Sequence, residues 1–351
     1  MAHRNSTLDR RSFIKAGALL GGAAAALQGG VAEAAIPKGK KIKSIGSLPE
    51  VMFGKTEHQL PVFGHGGSAM IASDIDKYGL ELISETERVK MVRKGYDAGI
   101  RFFDTARIYG ESEGIMAQAL GDVRDNIFLA SKVMVQTAAE VRESVETSLK
   151  TLKTDYVDSM SIHGPMVERV PFEELMEQHA VLEKMREEGK IRFIGLTGHS
   201  RFEKMHQLID TGKFDTVLIE AGYIRKGYNT NHSHTQLEYQ ELCIARAHEL
   251  NMGIVAMKVM GANVFGHNSK NLLPDFDAER RAQLPGAAIR WVLNDERIHI
   301  LNIGISMPGD IDKNLEIFSG DTALKAEDRM LLADFASKAY EQPLISEQRT
   351  V

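Results

Sequence analysis

The chain of 351 residues has only one cysteine, one tryptophan and nine prolines. A lone Cys243 excludes an internal disulfide, a four-thiolate cluster and a cysteine-built zinc site. Set in a helix-like run, it reads as a small buried apolar group. Neither sign of charge dominates: 43 basic and 48 acidic residues give a formal charge of -5, with no broad attraction for nucleic acid or an acidic membrane. A stable membrane span, which takes about 20 apolar residues, is also not expected. What is present is a composition 43% hydrophobic and 26% charged, that of a globular enzyme able to bury a large core.

The N-terminus reads as an address. Asp9, Arg10, Arg11, Ser12, Phe13, Ile14 and Lys15 precede an uncharged run over 16–27, weakly apolar and too short to cross a bilayer. This order resembles a twin-arginine (Tat) signal peptide. Ala32, Glu33 and Ala34 supply the small residues of an A-x-A site, so cleavage is expected near Ala34. The resemblance implies a periplasmic or otherwise exported protein, handled by the Tat translocase and crossing folded. The expected organisation is a signal over 1–34, a linker with Lys38, Lys40, Lys41 and Lys43 over 35–53, and one domain over 54–345.

From residue 54 onward, short apolar runs alternate with amphipathic helices, a pattern that implies a parallel sheet. Eight runs qualify as strands: 62–65, 101–104, 127–132, 157–163, 193–197, 216–220, 254–258 and 301–304. Eight strand-helix units predict an α/β fold, a (β/α)8 TIM barrel. Ser84 with Glu87, Thr137 with Glu140 and Ser200 with Glu203 have capping-box spacing and predict three helix starts. Gly189, Gly212 and Gly253 stand where helices hand over to strands and can take a left-handed cap. Residues 55–61 fit a hairpin closing the barrel bottom, and 327–340 a final outer helix. The runner-up is a doubly wound sheet, because Gly64, Gly66 and Ala69 match the dinucleotide fingerprint G-x-G-x-x-A. That motif needs a helix beginning within its glycines, whereas the next credible start is near Ser84.

Chemistry in such a barrel gathers where different strands end on one face. The second strand ends in Asp104, Thr105 and Ala106, followed by Tyr109, Gly110, Ser112 and Glu113; the third in Ser131, Lys132 and Val133; the fourth in His163. These segments, D-T-A-x-x-Y-G-x-S-E, then S-K-V, then D-Y-V-D leading to a histidine, resemble the aldo-keto reductases. The similarity runs over about residues 54–318. It implies Asp104, Tyr109, Lys132 and His163 as a catalytic tetrad. Physical chemistry agrees with it. Carbonyl reduction needs a hydride on carbon and a proton on oxygen, and a phenol of pKa about 10 becomes a usable acid beside an ammonium. Lys132 supplies that charge, Asp104 keeps the lysine charged in an apolar barrel, and His163 orients the carbonyl.

The resemblance also implies an NADP(H) cofactor. Gly66 and Gly67 let it approach the first strand, and Thr197 and His199 follow the fifth. Lys258 and Gly261 follow the seventh, while Ser306, Asp310 and Asn314 form the last loop and the start of its helix, where amides bind phosphate. Two departures stand out. Asp310 occupies the place where many relatives carry an arginine for the adenosine 2′-phosphate, so NAD(H) is expected to be accepted or preferred. On the sixth strand Leu218 and Ala221 replace a glutamine and a ring-stacking tyrosine, leaving stacking to Tyr223 or absent. His199 fits a carboxamide contact, a substrate contact or an ordinary loop. His232 and His234 fit a variable substrate loop better than a metal site.

The expected function is NAD(P)H-dependent reduction of an aldehyde, ketone or sugar, or the reverse oxidation, with Tyr109 as proton donor. Exported enzyme needs its cofactor loaded beforehand and restored in place by a second substrate or a redox partner. The alternative is a cofactor-binding redox sensor on the same barrel; the complete tetrad argues against it, and the altered sixth strand leaves it open.

Overall fold

A computed structural model describes residues 48–70, 83–225, 230–346 and 349–350. The signal-like segment and most of the expected linker lie outside them. Two short strands, β1 (Glu50–Met52) and β2 (Gln59–Pro61), pair antiparallel as a hairpin. The hairpin therefore starts upstream of both the predicted 55–61 and the expected domain boundary at 54. Eight parallel strands follow: β3 (Phe63–Gly66), β4 (Phe102–Asp104), β5 (Phe128–Val133), β6 (Val157–Ile162), β7 (Ile191–Gly198), β8 (Thr216–Glu220), β10 (Gly253–Met257) and β11 (Ile300–Gly304). They close into a barrel in the order β10-β11-β3-β4-β5-β6-β7-β8. The short β9 (Thr230–Asn231) lies outside it and pairs with Arg349–Thr350. A closed parallel barrel is a (β/α)8 fold, and the doubly wound alternative is excluded. Gly67–Met70 forms a 3-10 turn after β3 rather than the first turn of a nucleotide-binding α-helix.

Helices return the chain between strands, and their caps explain their starts. Ser84 accepts from the Glu87 amide at 3.2 Å ahead of α1 (Glu85–Asp97), and Thr137 and Glu140 cap α3 (Ala138–Leu152) reciprocally, with α2 (Ser112–Leu120) between them. The third expected cap differs. After α4 (Gly164–Arg169) and α5 (Phe172–Glu187), helix α6 (Phe202–Asp210) is preceded by Arg201 in the left-handed region at φ 54°, so Ser200 is not its cap. Gly189 and Gly212 take positive φ as expected, but before β10 the left-handed residue is Asn251. Gly253 is bare for another reason: a Cβ there would fall 2.6 Å from the Phe53 ring.

Strand alternation sorts residues into two cores. Outward residues such as Ile162, Leu196 and Ile219 pack under helices. Inward ones, Phe102, Phe128, Phe193, Val255 and Ile300, fill the lower barrel. Phe53 from the hairpin plugs that end, with ring centroids 5.8 Å from Phe102 and 5.3 Å from Phe128. The barrel is therefore a packed solid below and open only at the strand C-termini.

Candidate active site

Two residues beyond Phe102 on β4, and four beyond Phe128 on β5, the inward positions become charged. Asp104 stands above Phe102 and Lys132 above Ala130, in registers that pair Asp104 with Ala130 and Lys132 with Ser161. Lys132 Nζ donates to both Asp104 oxygens at 2.6 and 2.7 Å and to the Thr105 carbonyl at 2.7 Å. All three of its donor positions are thus engaged. Asn302 on β11 donates to Asp104 at 3.1 Å. Burial pulls Lys132 below the ordinary lysine range and pushes Asp104 above the ordinary carboxyl range, and each opposes the shift of the other.

The loop after β4 turns back over this pair. Tyr109 donates its amide to the Ala106 carbonyl at 2.9 Å, and Gly110 takes φ 50°, where a side chain would be strained. The Lys132 ammonium lies 4.8 Å from the Tyr109 ring centroid. Tyr109 Oη is 3.5 Å from His163 Nε2, the rings meeting edge to face. The rest of the motif holds this loop in place. Thr105 Oγ1 donates to Ser112 Oγ at 2.8 Å, and the fully buried Glu113 accepts from Ser131 at 2.9 Å while pairing with Arg107. Burial, then the charge of Lys132 and the neighbouring His199, hold His163 well below the usual histidine pKa, so it is neutral at pH 7. The phenol, ammonium, carboxylate and imidazole expected from the sequence thus meet on one side of the barrel mouth.

The other residues singled out divide. Gly66, His199, Lys258 and Ser306 line the same cavity of about 960 Å³ as Asp104, Tyr109 and His163. Gly67, Thr197, Gly261, Asp310 and Asn314 stand off its wall. Gly67 is required by packing, since a Cβ would meet the Asp104 carbonyl at 2.6 Å. Thr197 spends its hydroxyl accepting from the Gly164 amide at 2.7 Å, Gly261 takes φ 59° against Ile224, and Asn314 is buried in α10 (Asp310–Ser319), after α7 (His234–Glu249), α8 (Ser269–Leu272) and α9 (Ala278–Leu293). Asp310 accepts from the Ser306 and Met307 amides at 3.1 and 2.9 Å and from His267 Nε2 at 3.0 Å, which leaves it little capacity for a ribose hydroxyl. Leu218 lines the cavity, while Tyr223 packs against Trp291 at 4.9 Å.

Sequence reasoning missed Asn302, Glu113 as a brace, and the setting of Glu220. Asn302 and Glu220 are polar residues in otherwise apolar strands, at the same alternation as known inward positions, and that was the available signal. His232 and His234 part company: His232 Nε2 meets Glu220 at 2.8 Å, and His234 is exposed beside Glu238. Among the described residues no group of three or more His, Cys, Asp or Glu side chains could hold a metal.

The profile described as "Aldo/keto reductase family" matches residues 73–329. The chain belongs to the aldo/keto reductase family. An aldo-keto reductase of Bacillus subtilis is 28% identical over 274 residues, covering 66% of this chain and 79% of that protein. Among solved structures, a holo aldo-keto reductase from Bacillus halodurans superposes with TM-score 0.63 at 18% identity, covering 82% of this chain and 96% of that one. One from Klebsiella pneumoniae, in complex with NADP and acetate, gives TM-score 0.60 at 20% identity, covering 82% and 95%. The chain is accordingly an NAD(P)-dependent oxidoreductase acting on carbonyl compounds.

Proposed function

We infer that this reductase protonates its substrate with Tyr109, which Lys132 and Asp104 activate and beside which His163 holds the carbonyl. The observation that carries this is the convergence of the four groups at one cavity, which Asp104, Tyr109 and His163 line and Lys132 backs: Lys132 bound at two points to Asp104, its charge 4.8 Å from the Tyr109 ring, and His163 at 3.5 Å from the phenol. A nearby cation favours the phenolate, so the proton leaves Tyr109 more readily than from a free phenol. Neutral His163 donates to the carbonyl oxygen and fixes its direction. Asn302 and the Thr105 carbonyl keep the lysine and carboxylate from rotating away.

The wall also fits a nicotinamide cofactor. Gly66 is bare at the cavity edge, where a Cβ would press on Asn302 at 3.3 Å, and the Asn302 amide oxygen is buried without a partner. Lys258 and Ser306, after β10 and β11, are the residues that would hold it, and when bound it supplies the hydride. Among NAD and NADP, Asp310 favours NAD: its carboxylate already occupies the Ser306 and Met307 amides of the loop leading into α10 and repels a 2′-phosphate. A panel of aldehydes, ketones and sugars assayed with NADH and NADPH tests the whole reading. Tyr109→Phe is expected to lower kcat by about 10²- to 10⁴-fold while nucleotide binding persists. Turnover undiminished in the variant refutes the proton donor, and nucleotide binding without turnover in the wild type favours the sensor alternative.

The reading includes export by the Tat route, with cleavage near Ala34, a retained cofactor and a redox partner or second substrate to restore it. Its support is the order of charged, apolar and A-x-A segments over residues 9–34. Mass spectrometry of the native protein checks both halves, an N-terminus near Ala35 and co-purified nucleotide.

A further inference from the structure

The inferred proton donor and its supports come from β4, β5, β6 and β11, and a second polar group beside the cavity, centred on Glu220, takes no part in that proton transfer. Glu220 ends β8 facing inward and is 1% exposed. Lys258 pairs with one of its oxygens, His232 Nε2 lies 2.8 Å from the other, and Gln240 donates to its carbonyl at 2.7 Å. His199 Nδ1 stands 3.5 Å from the oxygen that Lys258 holds. The backbone is bent to seat these groups. Lys258 takes φ 55°, a costly conformation for a residue with a Cβ, and a Cβ on Gly222 would fall 2.1 Å from the Lys258 carbonyl oxygen.

We propose that His199, oriented by Glu220, is a second acid-base centre of this cavity that removes and returns a proton on the carbon beside the substrate carbonyl. The proposal rests on the carbonyl site inferred above. A carboxylate 3.5 Å behind one ring nitrogen, close enough to close a hydrogen bond by a small shift, favours the tautomer that leaves the other nitrogen to act as base. His199 lines the cavity with His163 and Tyr109, and its Cδ2 is 3.1 Å from the Cβ position of Gly164, the residue after His163. Burial and the Lys258 charge lower its pKa, so at neutral pH it is unprotonated, and Glu220 is held down to about 2 and ionised.

The step balances without a co-reactant. The C–H bond next to the carbonyl breaks and its proton goes to His199. The electron pair forms the C=C bond of an enediol as the carbonyl pair moves to oxygen, which takes the Tyr109 proton. Simple reversal returns the starting carbonyl with an exchanged hydrogen; when His199 instead returns its proton to the neighbouring carbon and the enediol's other hydroxyl gives its proton back to Tyr109, an aldose-ketose isomer results. Nothing is oxidised overall.

The test is solvent exchange. Dihydroxyacetone, hydroxyacetone and fructose are incubated with the full-length protein in D₂O without added nucleotide, and deuterium at the α-carbon is followed by NMR. The wild type is expected to exceed buffer at least tenfold on one of them. His199→Gln should fall to the buffer rate and Glu220→Gln by tenfold or more, with near-UV circular dichroism reporting the fold. Where Glu220→Gln unfolds by stranding Lys258, Glu220→Gln with Lys258→Met replaces it. Exchange at the buffer rate with all three ketones overturns the proposal. So does exchange that survives in folded His199→Gln, including the case in which that variant loses only NADPH affinity. Wild type that exchanges but does not reduce these ketones refutes the reductase roles and keeps this one; reduction without exchange does the reverse.

Discussion

The two ends of the barrel are built from the same strands and differ completely in what they bury. Below, Phe102, Phe128 and Phe193 stack around the Phe53 plug. Two residues further along β4, about 7 Å away, the inward position is Asp104. A barrel this well packed at its base can carry a buried ion pair at its mouth, a feature that by itself contributes little net stability. The comparison can be broken most strongly at Lys132. Lys132→Met should lower kcat/KM by about 10³-fold or more, and strand Asp104 at a cost of about 3–5 kcal/mol in stability. Pairing it with Asp104→Leu should restore most of the stability and none of the activity, as urea unfolding and steady-state kinetics would reveal. A double variant no more stable than the single one would mean that the isolated carboxylate is not what destabilises it.

At the base the opposite split is expected. Phe128 contacts Phe53, Phe102 and Phe193 and is fully enclosed, so Phe128→Ala should cost about 3–5 kcal/mol. Per folded molecule, kcat should stay within about threefold of wild type. A larger kinetic loss would show that the aromatic layer positions the charged one, and that the two ends are not separable.

This division also governs what could be read from the sequence. The eight barrel strands fall within two residues of the predicted runs, because apolar runs bounded by turns and caps are local signals. The meeting of Asp104, Tyr109, Lys132 and His163 was legible through their motif, and Thr137 with Glu140 through spacing. What escaped depends on contacts between distant segments. Whether Ser200 or Arg201 precedes α6 is decided by the backbone that carries His199 and Gly198 past Met205, and no spacing rule encodes it. Gly253 is small because Phe53 arrives from 200 residues earlier. Glu220 looked like the last residue of a strand; only the closure of β8 against β10 brings Lys258 to it.

On the outer face of the barrel strand β3, His65 offers a polar group buried without the partners that Lys132 has. It is fully enclosed, stacked on Phe103 at 5.8 Å, with neither ring nitrogen bonded, and burial lowers its pKa to about 4. The folded value lies below the ordinary 6.5, so the unfolded chain binds more protons between them. Stability is therefore full above pH 6.5, is lost as pH falls toward 4, and is flat below. His65→Phe should narrow the stability gap between pH 7.5 and pH 5 by about 2 kcal/mol. Urea unfolding at both values checks it, and an unchanged gap would mean that the ring gains a proton without leaving the fold.

The smallest effect is expected at the rim, where Asp310 tests whether charge at the mouth acts on ligands rather than on folding. Its carboxylate accepts from the Ser306 and Met307 amides and from His267, so Asp310→Asn keeps an acceptor for the amides while removing the charge and presenting a donor to His267, whose neutral ring can accept it. A carboxylate against a phosphate near a solvated surface is worth on the order of 1 kcal/mol, or about a fivefold change in a binding ratio. The ratio of kcat/KM for NADPH over NADH should rise by about that factor. Thermal stability should fall slightly, since a negative charge at the start of α10 favours its dipole. If the ratio holds constant while stability drops, Asp310 serves the helix alone and cofactor choice is made by residues on the cavity wall.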